Sequence, residues 1–422
     1  MNKINLIIDR LKIEFLTPAV KAYFYFLSFK SYLISLLNRD SIVVNEEYDG
    51  DHPVLLLALY EDGKLRLDIV RLLECAKILG MYSVVVNTKK ISDKEKNEKS
   101  NLLDAYIERY NFGRDFGSYK CGFTYIFDKK ININCKRVIM LNDSLYYDSD
   151  RTLNFLNEML NSDVNVLGAT ENYEFNYHLG SFAISFSNNT INQNKFIKYW
   201  RRYKNTDIRP TVIRRGELGL SKCLIKITKS DQIKALYNQV RIRKFLEISD
   251  KNIEVLGNCL SHPESKLWSK HLHPNEMLQC YMEEKEIHPK KSQSSIKMQT
   301  KITQENVILV SSLKEAKAFL KSQKFESDLE MFENFVASKV IFGSRFGSQI
   351  HANSVIFLIM GLPIIKLDGL FRGVWTEIDM KSFKINMSAR NYDELISLLY
   401  AKPYGFHTLS GWKRVAYSIG YL

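Results

Sequence analysis

The apolar positions change period along the chain. From residue 50 onward, short unbroken apolar runs alternate with stretches whose apolar residues recur every three or four positions. The runs His52-Pro53-Val54-Leu55-Leu56-Leu57-Ala58-Leu59, Tyr82-Ser83-Val84-Val85-Val86-Asn87 and Arg137-Val138-Ile139-Met140-Leu141 have the length and continuity of buried strands. Leu67 to Leu79 has helical spacing, with Gly80 placed to end it. Asp150 to Leu160, Gln193 to Tyr203 and Gly216 to Lys226 read as further helices, and 164–168 and 181–186 as further strands. The Lys-rich stretch 89–101 reads as a loop or flap, and 102–110 as a short helix or an extended connector. A Gly-rich turn at 111–117 leads into a helix running to about Phe127. Strands and helices in alternation predict an α/β fold with a mainly parallel sheet flanked by helices. Ligands in such folds sit beyond the carboxyl ends of the strands.

This pattern weakens after residue 250, and 289–301 is a polar, Lys-, Ser- and Gln-rich linker or loop. Three regions are expected: 1–49, an N-terminal helical segment; 50–250, the catalytic or binding domain; and 251–422, a largely helical acceptor or association region. Residues 19–38 form an aromatic-rich, helix-length stretch carrying Lys21 and Lys30. That composition suits either a helix lying on a membrane surface or one docked on the main domain.

Composition narrows the class. Aromatic residues make up 12% of the 422 residues, enough to build a core and to exclude a disordered chain. The net charge of +13 suits an anionic partner (nucleic acid, a membrane surface or a phosphorylated small molecule) or, more plainly, a solvated basic surface with no partner. No zinc-finger spacing, RNA-recognition signature or basic zipper is present, so nucleic acid is not expected. Cys75, Cys121, Cys135, Cys223, Cys259 and Cys280 form no Cys-x-x-Cys pair, which argues against a zinc site or disulfide framework and fits a reducing cytosol. No run of ~18 apolar residues predicts a membrane-spanning helix. Charged residues at Asp9, Arg10, Lys12 and Glu14 interrupt what would be the core of a secretion signal.

Four clusters carry candidate chemistry. Asn111-Phe112-Gly113-Arg114-Asp115-Phe116-Gly117 makes a tight turn into a helix, where free N–H groups and Arg114 meet a diphosphate and Asp115 a ribose or base; an Arg–Asp pair on a structural turn is the plainer reading. Asn142-Asp143-Ser144 ends a strand, where a carboxylate holds a divalent metal or a ribose, or caps the next turn. The loop from Glu171 through Tyr173, Glu174 and His178 combines carboxylates, aromatic rings and an imidazole, a mixture suited to sugar. Glu217 follows Arg214 and Arg215 at a helix start and is expected to be ionised, as a general base or as a helix-terminal charge.

In order, these pieces resemble the rhamnan synthesis protein F family: Asn111-x-Gly-Arg-Asp-x-Gly, Leu141-Asn-Asp-Ser, Thr170-Glu-Asn-Tyr-Glu to His178-Leu-Gly-Ser-Phe, Gly216-Glu-Leu-Gly-Leu-Ser, and His351 through Gly361-Leu-Pro-Ile-Ile-Lys366-Leu-Asp. The similarity runs over roughly 50–375. It implies a GT-A-like, Rossmann-type glycosyltransferase that moves a sugar from a nucleotide sugar onto an oligosaccharide or lipid-linked surface glycan. By that analogy Glu217 is the base, and His178, the second catalytic candidate, contacts donor or acceptor sugar together with Glu174. Asn111, Gly113, Arg114, Asp115, Gly117, Asn142, Asp143 and Ser144 hold the donor, while Glu171, Tyr173, Glu174, His351 and Lys366 face sugar or acceptor. The resemblance also implies a site at the cytoplasmic face of the inner membrane. Asn and Ser flank Asp143 where two aspartates are usual, so Mn or Mg use stays open, and Arg114 with nearby lysines would otherwise offset the diphosphate charge. A non-catalytic glycan-binding protein on the same fold is the alternative.

Overall fold

The computed structural model describes residues 3–38, 40–173, 176–247, 274–285, 310, 313–323, 329–343, 349–375, 377–401, 405 and 408–422. They form two compact units. The first comprises Met1–Leu236, Gly361–Gly373 and Met387–Leu422; the second comprises Tyr237–Met360 and Val374–Asn386. The polar stretch 289–301 lies outside the described residues.

The first unit is built on a sheet of nine strands. Its path runs β1 (Ser41–Asn45), β4 (Ala105–Glu108), β3 (Tyr82–Asn87), β2 (Val54–Leu59), β5 (Arg137–Asn142), β9 (Ala183–Ser187), β7 (Val166–Asn172) and β10 (Ile233–Tyr237), with β8 (His178–Leu179) on β7. The four central strands β4, β3, β2 and β5 are mutually parallel, and β1, β9 and β8 join antiparallel. All six residues of each of β2, β3 and β5 are buried, as their unbroken apolar runs predict.

Helices cover both faces of the sheet. α1 (Lys3–Leu37) precedes it, and α2 (Leu67–Ile78) and α6 (Ser149–Leu160) pack together on one face. α4 (Arg114–Asp128) lies across β2 and β3 on the other, against α8 (Asn194–Arg202). Gly122 makes the α4 crossing close: a Cβ there would lie 2.1 Å from Leu56 Cδ1. Phe116, Tyr119 and Phe123 then project into a buried aromatic layer, where Phe123 stacks on Trp200 at 4.6 Å between centroids. Each such ring adds roughly 1.5–3 kcal/mol of apolar burial.

Of the two readings of 102–110 the extended one holds: the segment contains β4, a four-residue strand inside the sheet, too short to show a period. Its start is fixed by Asp104, whose carboxylate takes Lys77 at 2.5 Å and the Ser83 N–H at 2.7 Å. The stretch 89–101 is not a plain loop. It contains the short helix α3 (Asp93–Glu98), whose Ser92 hydroxyl accepts from the Glu95 N–H.

Further short helices of this unit include α5 (Ile131–Asn134), α7 (Asn188–Ile191), α9 (Arg209–Val212) and α10 (Leu218–Ile227). β6 (Leu145–Tyr147) pairs antiparallel with β11 (Ile364–Lys366), setting Lys366 opposite Leu145. The described part of the second unit is helical, with Tyr281 packed against Phe332 and Phe335 and with Trp375 against Phe383.

Candidate active site

The strand order reverses between β2 and β5, since β3 and β4 lie to one side of β2 and β5 lies to the other. At such a switch point the loops diverge and leave a crevice beyond the strand ends. A cavity of about 520 Å³ opens there. Its walls include Leu59 at the end of β2 and Tyr60 after it, Thr88 after β3, Arg114 and Asp115 at the start of α4, and Asp143 after β5. Asn111 also lines it. Gly113 has φ 94° and donates its N–H to Asp207 Oδ1 at 2.7 Å. Arg114 follows at φ 54°, a conformation that costs a non-glycine residue about 1–2 kcal/mol and marks a constrained turn. Gly117 sits inside α4, where a Cβ would lie 2.5 Å from the Phe112 carbonyl oxygen.

Asn142-Asp143-Ser144 forms one directional network. The Ser144 hydroxyl donates to Asn142 Oδ1 at 2.6 Å, and Asn142 Nδ2 donates to Asp115 Oδ2 at 3.1 Å. Lys366 Nζ donates to Ser144 Oγ at 2.5 Å. The Tyr60 N–H donates to the Asp143 carboxylate across the β2/β5 crevice. Burial lifts the Asp143 carboxyl to about 6; Arg66 opposes that rise and Asp115 adds to it.

Sequence reading missed Arg66. Its guanidinium donates to the carbonyl oxygens of Asp143 at 2.8 Å and Leu145 at 2.7 Å, and to both carboxylate oxygens of Asp68. It thus fixes the backbone on both sides of Ser144. Glu61 lies 3.5 Å from it, and burial raises the Glu61 carboxyl to about 7 even so. The only trace in the sequence is the pair Arg66-x-Asp68 at the start of α2.

Glu217 ends a π-type turn, Ile213–Glu217, that joins α9 to α10. Turns of this type recur at functional sites. Gly216 allows the turn to seat on Phe116, because a Cβ there would lie 2.7 Å from that ring. Glu217 Oε1 stands 3.2 Å from His178 Nε2, and Oε2 accepts from the Ser181 hydroxyl at 2.7 Å. His178 Nδ1 lies 2.8 Å from the Asn176 carbonyl oxygen, which can only accept, so Nδ1 carries a proton. Burial alone would raise the Glu217 carboxyl. The His178 hydrogen bond and charge, the Ser181 hydroxyl and Lys366 outweigh it and hold the carboxyl below its usual value. Arg214 and Arg215 are exposed and are not the cause. The Glu217 side chain remains 27% exposed, open to a substrate hydroxyl.

Glu217 and His178 therefore come together, and Lys366 joins them electrostatically to Asp143. Glu171 lies at the end of β7 opposite Leu179, and Tyr173 is exposed against the Tyr177 ring. Glu174 is outside the described residues. His351 belongs to the second unit, where its carbonyl accepts from Trp375 Nε1 at 2.8 Å.

Several known proteins share parts of this chain. Residues 83–229 match the rhamnan synthesis protein F family. That stretch holds the turn at 111–117, Asn142-Asp143-Ser144, His178 and Glu217. The uncharacterised protein y4gN of Sinorhizobium fredii is 24% identical over 236 residues, covering 52% of this chain and 60% of that protein. The virulence protein VirA of Vibrio anguillarum is 27% identical over 173 residues, covering 37% of this chain and 55% of that one. The chain thus spans less than two thirds of either relative. Among solved structures, the glycosyltransferase GlyE of Streptococcus pneumoniae aligns over 69% of this chain and 64% of its own at 13% identity and a TM-score of 0.28. The bifunctional glycosyltransferase WbbM aligns over 46% and 40% at 12% identity and a TM-score of 0.23. Scores this low say nothing of shared chemistry.

Proposed function

We propose that this chain is an inverting, GT-A-type glycosyltransferase that extends a bacterial surface polysaccharide from a nucleotide-sugar donor. The observation that carries this reading is a carboxylate, Glu217, held ionised by His178 and Ser181 and linked through Lys366 to the crevice-lining Asp143. Such an arrangement suits a two-substrate transfer. The nucleoside diphosphate lies in the crevice, with Tyr60 offering a ring face to the base and Arg114 a guanidinium to the diphosphate. Glu217 takes the proton of the acceptor hydroxyl as its oxygen bonds to the anomeric carbon, and the bond from that carbon to the diphosphate breaks. The rhamnan synthesis match over residues 83–229 supports the polysaccharide setting.

The test is a panel of nucleotide sugars with oligosaccharide and lipid-linked acceptors, read as nucleoside diphosphate release. Release from one donor, stimulated by acceptor, is the expected result. No release from any donor, together with no nucleotide binding by calorimetry, would leave a non-catalytic glycan-binding protein.

We also propose that α1 rests on the anionic surface of the inner membrane's cytoplasmic face. No helix among the described residues is long and apolar enough to cross a membrane. The inner face of α1 packs through Val20 and Phe24 on Val415, Ala416 and Tyr421. The opposite face exposes Phe15, Phe26, Phe29, Leu33 and Leu36, with Lys21 and Lys30 exposed at its margins. Co-sedimentation with anionic vesicles at low salt is expected, and Phe26→Glu with Phe29→Glu should abolish it. Failure of the unaltered protein to bind such vesicles would end this proposal.

A further inference from the structure

The Asp-x-Asp position of a GT-A-type site implies a divalent cation, and the residues present do not fit one. Among the described residues, no group of three or more His, Cys, Asp or Glu side chains is placed to hold a metal ion. The positions flanking Asp143 offer an amide and a hydroxyl, and these are engaged with each other and with Asp115. A cation already stands there: Lys366 Nζ lies 2.5 Å from Ser144 Oγ.

We propose that the Lys366 ammonium does the work of a divalent cation at the donor diphosphate, so that transfer proceeds without metal. The inference rests on the transferase reading above. Its geometry is firmly held. β11 pairs with β6 so that Lys366 faces Leu145, and the Leu367 N–H donates to the Ser144 carbonyl at 3.1 Å. Arg66 grips the carbonyls of Asp143 and Leu145 on either side of Ser144. Lys366 is thereby carried on the same backbone that sets Asp143 at the crevice. An ammonium has three N–H groups, and one goes to Ser144. In the transfer step the electron pair of the breaking anomeric C–O bond goes to the diphosphate oxygen, and a Lys366 N–H donates to the charge that develops there. The acceptor's proton goes to Glu217, so atoms and charges balance.

The position also explains why one lysine reaches both ends of the reaction. Its charge favours the ionised forms of both Asp143 and Glu217. A lysine placed only at the acceptor would have no cause to bond Ser144.

Calorimetric binding of uridine, guanosine and thymidine diphosphates to the full chain tests this, in EDTA and with Mn²⁺ or Mg²⁺. One of the three is expected to bind equally well in both. Lys366→Met should weaken it by about 10- to 100-fold, the loss of a charge-assisted bond to phosphate. Lys366→Arg should bind within about threefold of the parent, since the charge is kept. Binding that requires metal, or binding by folded Lys366→Met at the parent's strength, would overturn the inference and leave the transferase reading standing. The metal arm needs no variant and so decides even if Lys366→Met does not fold. No binding of any nucleoside diphosphate, with or without metal, would remove the transferase reading and this inference with it.

Discussion

Glu217→Gln is expected to lower sugar transfer by about a thousandfold or more while donor binding stays within about twofold. General bases contribute roughly 10²–10⁴-fold, and an amide cannot take the acceptor's proton. The substitution is nearly isosteric and leaves the surrounding bonds in place. The glutamine oxygen still accepts from Ser181, and its amide donates to His178 Nε2, which accepts once Nδ1 carries the proton toward Asn176. The fold should therefore survive, and circular dichroism with nucleotide calorimetry would confirm it. Initial rates of nucleoside diphosphate release are the readout. A variant retaining a tenth of the parent rate would remove Glu217 from the chemistry. The pH profile adds a second reading of the same group. His178 helps hold Glu217 ionised, so His178→Ala should move the acid limb of the rate to higher pH.

Asp143→Asn is expected to make the protein more stable and the proposed sugar transfer at least about a hundredfold slower. Burial raises the Asp143 carboxyl from 3.8 to about 6, so its charged form is disfavoured in the fold. A raised folded value contributes stability below the unfolded value, and that contribution is gone once pH has climbed past the folded one. At pH 7.5 the parent thus bears a buried charge that asparagine does not. Two units correspond to at most about 3 kcal/mol, less for a half-buried group. The asparagine oxygen can still accept from the Tyr60 N–H. Urea midpoints at pH 7.5 should rise, and the gain should shrink as pH falls through 6. Loss of stability at pH 7.5, or a gain independent of pH, would contradict this account. The drop in rate follows if the carboxylate orders the donor in the crevice. It is also the ordinary trade at a functional site, where charge is kept at a cost to the fold.

The sheet's centre was legible because long buried strands leave unbroken apolar runs: β2, β3 and β5 appear within a residue or two of their positions. Helix α6 was legible by its period, and Asp148 caps it with Asp150 in its first turn. β4 was not legible, because Ala105-Tyr106-Ile107-Glu108 is as compatible with one helical turn as with a strand. β8 has two residues, and only its pairing with β7 defines it. In the site, Glu217 and His178 stood out by residue type, but their 3.2 Å approach depends on the β7–β8 hairpin and on Phe116 beneath Gly216. Arg66 lies 77 residues from the Asp143 carbonyl it binds, a distance that no local pattern spans. Ser181, the second support of Glu217, reads in sequence as the start of a strand and nothing more.

The pairing of β6 with β11 has a consequence for the nascent chain. Ser144 leaves the ribosome 222 residues before Lys366. At 5–20 residues per second that interval is about 10–40 s. Through it, Asn142-Asp143-Ser144 lies beside β2 with no ammonium at hand, and β6 has no strand to pair with. The crevice therefore takes its shape and its Arg114 guanidinium early in synthesis and meets the Lys366 ammonium late. By the role proposed for Lys366, a ribosome-bound chain is expected to bind nucleoside diphosphates weakly until β11 has been made.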